Sequence, residues 1–192
     1  MDCSNCFRTL GLGAVVLLMG ASAAMPAVAQ SSIVDEVKVG VLAHDVGFAG
    51  HHVESGADII GEVLFKSPDL FRYIGSPRPT LGASVNTDGN TDYAYFDFTW
   101  TATLFRPQML AQDGVYAGLF LGGAVHDGHL DTAPSDRKAL GTRALYHLGV
   151  FAGYQLTPVV SLEIYYDHLS NANASSHNPG LNNIGARTGF KF

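Results

Sequence analysis

A histidine and a serine stand two residues apart near the C-terminal end of the chain, at His168 and Ser170. They lie at the end of Val159–Leu169, a segment in which apolar and polar residues alternate with the period of a β-strand. Since side chains two residues apart on a strand point to the same side, both project from its apolar face. The rise of a strand separates their Cα atoms by roughly 6.5–7 Å, which lets a hydroxyl reach an imidazole. Such a pair is the minimal arrangement for nucleophilic catalysis by serine.

A third residue, Asn182, could hold the far nitrogen of that imidazole and fix its tautomer. It begins the segment Asn182–Phe192 and shares the parity of that segment's apolar residues. If the two segments form a hairpin, Asn182 projects from the same side as the histidine and the serine. The nearest acids, Glu163 and Asp167, have the opposite parity. The spacing therefore predicts a Ser-His-Asn set on the apolar side of one hairpin.

The residues that follow the serine could stabilise the negative charge of a tetrahedral intermediate. Backbone N–H groups at Asn171 and Ala172 come directly after Ser170, and the Asn171 side-chain amide is a further donor. Pro179-Gly180 predicts a bend that returns the chain to the side of the motif. We expect chemistry that requires neither a metal nor another cofactor.

These residues carry a family resemblance. His168-Leu-Ser170-Asn171-Ala172, followed by Asn178-Pro-Gly180 and a short closing strand, resembles the outer-membrane lipid A 3-O-deacylases of the PagL type. The resemblance is specific from about Tyr165 to Phe192 and general over the earlier strands. It implies an outer-membrane barrel, a lipid-facing His-x-Ser-Asn motif, and cleavage of the 3-position ester of lipid A in the outer leaflet. That family commonly has a carboxylate where this chain has Asn182, although an amide oxygen can also accept from an imidazole N–H.

Three functions from different classes are compatible with the sequence. The first is a lipid A ester hydrolase. The second is a structural or binding barrel in which Asn182 marks a decayed active site. The third is a hydrolase of another outer-leaflet lipid, such as a phospholipase, in which an amide as third member would be less surprising.

The N-terminal segment, residues 1–29, has the pattern of a cleaved secretory signal. Arg8 precedes an apolar centre at Leu10–Met19, and Ala27-Val-Ala29 provides the small residues of a cleavage site. Both cysteines, Cys3 and Cys6, lie before the apolar centre and would be removed with it. We therefore expect residues 30–192 to form one exported domain without disulfides.

Composition excludes some partners. The formal net charge is −6, and the predicted cleavage removes one acid and one base, so the mature chain stays acidic. An acidic balance disfavours a nucleic-acid partner, whereas a membrane and lipopolysaccharide remain compatible with it. No glycine-rich phosphate-binding pattern is present, and the oligomeric state is not encoded in any pattern that we recognise.

The mature sequence predicts an all-β fold, an eight-stranded antiparallel outer-membrane β-barrel. Segments rich in Val, Tyr, Phe and Leu are separated by Gly, Pro, Asn and Asp turns, and none approaches the length of a membrane-spanning helix. The predicted strands are Glu36–Ala43, Ala57–Phe65, Pro79–Val85, Tyr93–Phe105, Val115–Val125, Thr142–Gln155, Val159–Leu169 and Asn182–Phe192.

The fourth segment, Tyr93–Phe105, alternates most clearly, with a large apolar face opposite Thr, Tyr and Asp. A soluble barrel would alternate in the same way, so the choice of a membrane barrel depends on the export signal, the aromatic residues near strand ends and the terminal Phe192. The fifth segment, Val115–Val125, is apolar on both faces and leaves its lumen side unassigned. With both termini on the periplasmic side, the loops around residues 44–55, 86–90, 126–141 and 171–181 face outward.

The outer loops contain most of the histidines. A metal site is conceivable where these histidines converge, but no diagnostic ligand spacing is present, so we expect ordinary loop residues. The loops also carry Arg137 and Lys138, which we interpret as a solvated pair, with contacts to lipid A phosphates as the alternative. Besides His168, the histidines are His44, His51, His52, His126, His129, His147 and His177.

Overall fold

The computed structural model describes residues 33–47, 51–106 and 114–192. The predicted signal and the cysteines lie outside these residues. The described chain forms one closed barrel of eight strands. The strands are β1 (Val34–Ala43), β2 (Ala57–Phe65), β3 (Arg78–Asn86), β4 (Tyr93–Phe105), β5 (Gly114–His126), β6 (Ala144–Gln155), β7 (Val160–Ser170) and β8 (Leu181–Lys191).

Every strand pairs antiparallel with its neighbours in the chain, and β8 closes the barrel against β1. The predicted eight-stranded antiparallel barrel is confirmed, and all eight predicted segments coincide with strands to within two residues at each end. Strand β1 begins at the end of the barrel where β8 ends, since Glu36 pairs with Lys191. We call this the terminal end of the barrel and the opposite end the loop end.

The outer wall of the barrel is apolar. Alternate residues of each strand expose aliphatic and aromatic side chains, among them Val41 on β1, Leu121 on β5 and Ile164 on β7. Such a continuous apolar exterior suits lipid, because no water is needed to satisfy it. No helix within the described ranges is long and apolar enough to cross a membrane.

The lumen is a packed mixture of ion pairs and aromatic rings. Arg187 is buried and donates through Nε to Glu163 Oε2 at 2.5 Å and through Nη1 to Glu62. Lys38 donates to Glu163 Oε1 at 2.6 Å from the opposite side. Removal of these charges from water is offset by their mutual pairing, which fixes the inward faces of β1, β2, β7 and β8.

Strand β5, whose lumen side the sequence left open, turns Tyr116, Phe120 and Ala124 inward. The apolar inward residues fit because glycines on neighbouring strands make room for the rings. A Cβ atom at Gly149 would lie 2.3 Å from Phe120 Cζ. Glycine there lets the aromatic ring lie directly over the neighbouring strand.

The connection between β2 and β3 contains a short 3-10 helix, Asp69–Ile74, for which the sequence offered no explanation. It lies against the outer wall of β4. Phe71 packs edge-on against Phe98 at a ring separation of 5.3 Å, and Trp100 Nε1 donates to the Ile74 carbonyl at 2.8 Å. The helix is therefore held on the lipid-facing side of the barrel at its terminal end.

Candidate active site

Strands β7 and β8 bring His168 and Asn182 directly opposite each other, as Cα partners in the register. Their side chains both leave the outer side of the wall, because the lumen-facing neighbours Asp167 and Asn183 occupy the other parity. His168 Nδ1 and Asn182 Oδ1 are 2.7 Å apart. The structure therefore joins the histidine and the amide that the sequence selected, next to the loop end of the barrel.

Asn182 has a second hydrogen-bond partner that the sequence analysis missed. The Tyr166 hydroxyl donates to the same Oδ1 atom at 2.8 Å. Tyr166 lies two residues before His168 on β7 and so shares its face. This shared parity is the sequence signal from which the contact could have been predicted.

The amide oxygen determines which imidazole nitrogen carries the proton. With Oδ1 directed at Nδ1, the hydrogen resides on Nδ1 and the Nε2 lone pair is free to accept a proton. Asn182 is fully buried, and its Nδ2 atom has no hydrogen-bond partner among the described residues. The two N–H donors of this amide therefore lack compensation for their removal from water.

Ser170 is the last residue of β7 and lies two positions beyond His168 on the same face. Both side chains are half-buried. Among the described residues the Ser170 hydroxyl does not form a hydrogen bond with His168. An open contact of this kind is common before substrate binds, since catalytic hydrogen bonds often tighten only in the complex.

The side chain of Asn171 is engaged elsewhere. Its Nδ2 donates to the carbonyls of Leu140 at 2.9 Å and His177 at 2.6 Å, and its backbone N–H donates to Asn178 Oδ1 at 3.0 Å. In this arrangement Asn171 has no donor left for an oxyanion. It instead connects the turn after Ser170 to the loop between β5 and β6.

Ala172 follows with a left-handed backbone conformation, at φ 51°. Asn173 is also left-handed, at φ 64°. The left-handed conformation costs about 1–3 kcal/mol for an alanine, whereas asparagine adopts it more readily, and such strain tends to occur at functional sites. Among the described residues, the backbone N–H of Ala172 has no hydrogen-bond acceptor, so this group remains a possible donor for substrate.

Gly180 adjoins the imidazole from the other side. Its φ is +66°, and a Cβ atom there would lie 3.0 Å from His168 Cε1. Glycine thus allows the turn before β8 to approach the ring closely and adopt a conformation that other residues rarely adopt. The chain turns at residues 172–176, before the bend predicted at Pro179-Gly180, and the β7–β8 register then brings Asn182 beside the motif.

The prediction of a solvated Lys138 is wrong. Lys138 is only 2% exposed, and its ammonium donates to the Asp45 carboxylate and, at 2.8 Å, to the Gly180 carbonyl. A buried ammonium paired in this way is unavailable to lipid A phosphates. Sequence alone could not show this, because the contact depends on how three loops pack together.

Beside that lysine lies a second buried polar group. His44 is held between Glu54, 3.0 Å from Nε2, and Asp58, 2.9 Å from Nδ1. Burial opposes protonation, but the hydrogen bonds that the imidazole donates to both carboxylates outweigh it and raise the pKa of His44 to about 9. Burial likewise disfavours ionised Glu54, yet its hydrogen bonds with His44, Lys138 and Thr91 lower its pKa to about 2. These charges stabilise the packing of the loops.

The other loop histidines do not assemble a metal site in the part of the chain that the structure describes. No group of three or more His, Cys, Asp or Glu residues there could hold a metal ion. His126 bonds the Thr142 carbonyl through Nε2 at 2.7 Å, whereas His129 is exposed. His147 lies in the lumen, 2.9 Å from Asp97.

A family model described as "Lipid A 3-O-deacylase (PagL)" matches residues 68–191. The chain belongs to this family. The matched span includes strands β3 to β8 and all of the candidate site residues. The family and the closed barrel together identify an outer-membrane enzyme of the lipid A 3-O-deacylase type. No curated protein matches the chain in sequence.

One solved structure shows the same architecture, and two others give weaker matches. The crystal structure of the outer membrane enzyme PagL aligns with a TM-score of 0.63 at 15% identity, covering 82% of this chain and 99% of that chain. The N-terminal β-barrel domain of Pseudomonas aeruginosa OprF (TM-score 0.48, 11% identity, 82% and 98% covered) also matches. Neisserial surface protein A does too (TM-score 0.49, 16% identity, 82% and 96% covered). At these identities the PagL structure supports the fold alone.

Proposed function

We propose that this protein is a serine esterase that removes the 3-O-linked acyl chain of lipid A with Ser170, His168 and Asn182 as its triad. The observation that carries the proposal is the 2.7 Å contact between His168 Nδ1 and Asn182 Oδ1 on the lipid-facing side of the wall. A lipid lying against this wall could present its ester to Ser170 without leaving the membrane.

In the proposed mechanism, His168 Nε2 takes the hydroxyl proton of Ser170 as Oγ attacks the acyl carbonyl carbon. The ester carbon–oxygen bond then breaks, and the proton passes from the imidazolium to the departing sugar 3-oxygen. Water, deprotonated by the same nitrogen, attacks the acyl-serine and releases a fatty acid. Ser170 regains its proton when its oxygen leaves.

The oxyanion would be stabilised by backbone N–H groups that follow Ser170, with Ala172 as the available donor. The sequence also suggested the side chain of Asn171, but its amide hydrogens are donated to two loop carbonyls. We therefore assign Asn171 a positioning role in this proposal. The helix-free turn and the left-handed Ala172 support an exposed N–H in this place.

A neutral third residue changes the energetics but retains the chemistry. A carboxylate would orient the imidazole and also stabilise the imidazolium; Asn182 supplies only the first effect. The Tyr166 hydroxyl, by donating to Oδ1, favours the amide orientation in which oxygen faces the histidine. This contact supports retention of the productive tautomer, the loss of which costs about 10⁴ in turnover in a Ser-His-Asp enzyme.

The test is hydrolysis by Ser170→Ala and wild-type protein, each refolded into vesicles that contain lipid A or phospholipid. Mass spectrometry of both lipids should show loss of the 3-O-acyl chain with wild type only. An unchanged lipid A in both samples would refute the proposal. Cleavage of phospholipid instead would identify the alternative hydrolase, which the amide at position 182 makes reasonable. The absence of any cleavage would support a structural barrel.

A further inference from the structure

We propose, on the basis of the function above, that Lys138 is a positioning residue that holds the active-site turn against His168. Lys138 comes from the long loop between β5 and β6, far from the catalytic residues in sequence. Its ammonium donates to the Gly180 carbonyl at 2.8 Å. Gly180 in turn lies close to the imidazole, because a Cβ atom added there would be only 3.0 Å from His168 Cε1.

The other partner of Lys138 fixes the start of β8. Asp45 accepts from the ammonium and from the backbone N–H groups of Val53 at 2.7 Å and Glu54 at 3.0 Å. The next residue, Val46, donates through its backbone N–H to the carbonyl of Asn182 at 2.7 Å. Lys138 therefore restrains the position of Asn182 through Asp45 and Val46, and it restrains the turn before β8 through Gly180.

The backbone of Lys138 is also fixed by hydrogen bonds, so the position from which its side chain extends is defined. Its N–H donates to Glu54 Oε1 at 2.8 Å. Two residues later, the Leu140 carbonyl accepts from the Asn171 side chain at 2.9 Å, next to Ser170. The segment 138–140 thus connects the β1–β2 loop with both ends of the β7–β8 turn. An ammonium buried so completely has no solvent role to perform.

The matched substitutions are Lys138→Met and Lys138→Arg, with Arg137→Met as the control for loop charge. Methionine keeps most of the length and removes the donors; arginine keeps the charge and the donors. Because small misplacements of reacting groups cost up to about 10²-fold, we expect Lys138→Met to lower kcat on lipid A by about 10- to 100-fold. KM should stay within about threefold of wild type.

Lys138→Arg should recover most of the lost kcat, and Arg137→Met should match wild type. A rise in KM at unchanged kcat for Lys138→Met would instead indicate substrate binding and would overturn the inference. Equal kcat in all four proteins would overturn it too. If Ser170→Ala abolishes hydrolysis while Lys138→Met leaves kcat unchanged, the proposed function is retained and only the positioning role of Lys138 is refuted. An inactive wild-type protein would refute both.

If Lys138→Met does not fold, Gly180→Ala tests the other end of the same contact. Its methyl group would press on His168 Cε1, so kcat should again fall with KM nearly unchanged, whereas full activity would contradict the inference. Circular dichroism of each vesicle-inserted protein reports the folded fraction by which kcat is corrected.

We infer independently that the 3-10 helix Asp69–Ile74 is an anchor in the headgroup region of the phospholipid leaflet at the terminal end. Its outward residues are strongly exposed, with Leu70 at 74% and Tyr73 at 75%. They continue the apolar outer wall, because Phe71 packs on Phe98 and Trp100 bonds the helix end. Arg72 lies over the Tyr73 ring, so the same turn offers apolar, aromatic and cationic groups. That combination is typical of the boundary between acyl chains and headgroups.

A spin label tests this assignment, since no cysteine occurs among the described residues. Label at Leu70→Cys in phospholipid vesicles should be accessible to oxygen and protected from a water-soluble nickel complex. Ile164→Cys on the outer wall and Ser135→Cys in the β5–β6 loop provide the lipid and water references. A nickel accessibility at position 70 equal to that at position 135 would overturn the anchor.

Discussion

Replacement of Tyr166 with phenylalanine tests how a neutral amide can serve His168 as the proposed catalytic base. The change removes one hydrogen bond of 2.8 Å to Asn182 Oδ1 and leaves the ring in place. A neutral hydrogen bond contributes about 0.5–1.5 kcal/mol, which corresponds to about a 2- to 13-fold loss of kcat. If the freed amide rotates and presents Nδ2 to the imidazole, the tautomer changes and the loss grows toward about 10⁴.

The same substitution in an Asn182→Asp background isolates the orientation effect. A carboxylate has two equivalent oxygens, so either one accepts from Nδ1 without help from a neighbour. We therefore expect Tyr166→Phe to change kcat by no more than about threefold there. Asn182→Asp alone should raise kcat, because a carboxylate also stabilises the imidazolium that forms during proton transfer.

The assay is steady-state release of fatty acid from lipid A in vesicles, measured across pH. The four proteins compared are the wild type, Tyr166→Phe, Asn182→Asp and the double variant. KM should remain close to wild type throughout, since the substituted groups act behind the histidine. An equal loss from Tyr166→Phe in both backgrounds would refute the orientation argument. No loss in the Asn182 background would show that the tyrosine has no part in it.

Three further predictions concern stability, measured by urea unfolding in lipid vesicles. In the folded protein the pKa of His44 is about 9, above its ordinary value of 6.5. Its contribution to stability should therefore be complete below about pH 6.5 and be lost as the pH rises through about 9. The variant His44→Gln should remove this pH dependence. Gly141→Ala should reduce the free energy of unfolding by about 1–3 kcal/mol and lower activity, because φ is +81° and the new Cβ would lie 2.1 Å from the His177 carbonyl oxygen. The control is Gly89→Ala, where φ is +69° but the added Cβ meets open space, and it should leave activity intact. Arg187→Met should cost about 3–5 kcal/mol, because it leaves the buried Glu62 without a cation and Glu163 with Lys38 alone. A smaller loss than that of Gly89→Ala would contradict this.

Strand positions were predictable because the outer wall imposes one chemical requirement on every second residue. The alternation of Tyr93–Phe105 locates a strand regardless of what it pairs with, and the observed β4 has those bounds. The lumen imposes no such uniform requirement. Phe120 is inward and Leu121 is outward, so residue type could not assign the sides of β5. The decisive factor was room over Gly149, the Cα partner of Phe120 on β6, and this pairing depends on the register between the two strands.

The candidate site was predictable to the extent that one hairpin determines it. Parity and register bring His168 opposite Asn182, and both residues belong to sequential strands. The polar partners that depend on other loops were not predictable. Asn171 has the residue type of an oxyanion donor, yet its amide binds the Leu140 carbonyl. Lys138 has the residue type of a phosphate ligand, yet it is buried under the turn.

The loop packing and the amide at position 182 have a common physical consequence. A carboxylate attracts an imidazolium over several ångströms, so moderate misplacement weakens the pair only gradually. An amide depends on the short, directional contact of 2.7 Å and has no charge to compensate for displacement. The proposed triad with Asn182 therefore needs more rigid surrounding loops than a triad with an acid in that position. We therefore predict that Lys138→Met reduces kcat more in the protein with Asn182 than in the Asn182→Asp variant. Equal losses of kcat in the two backgrounds would show that the effect of Lys138 does not depend on the residue at position 182.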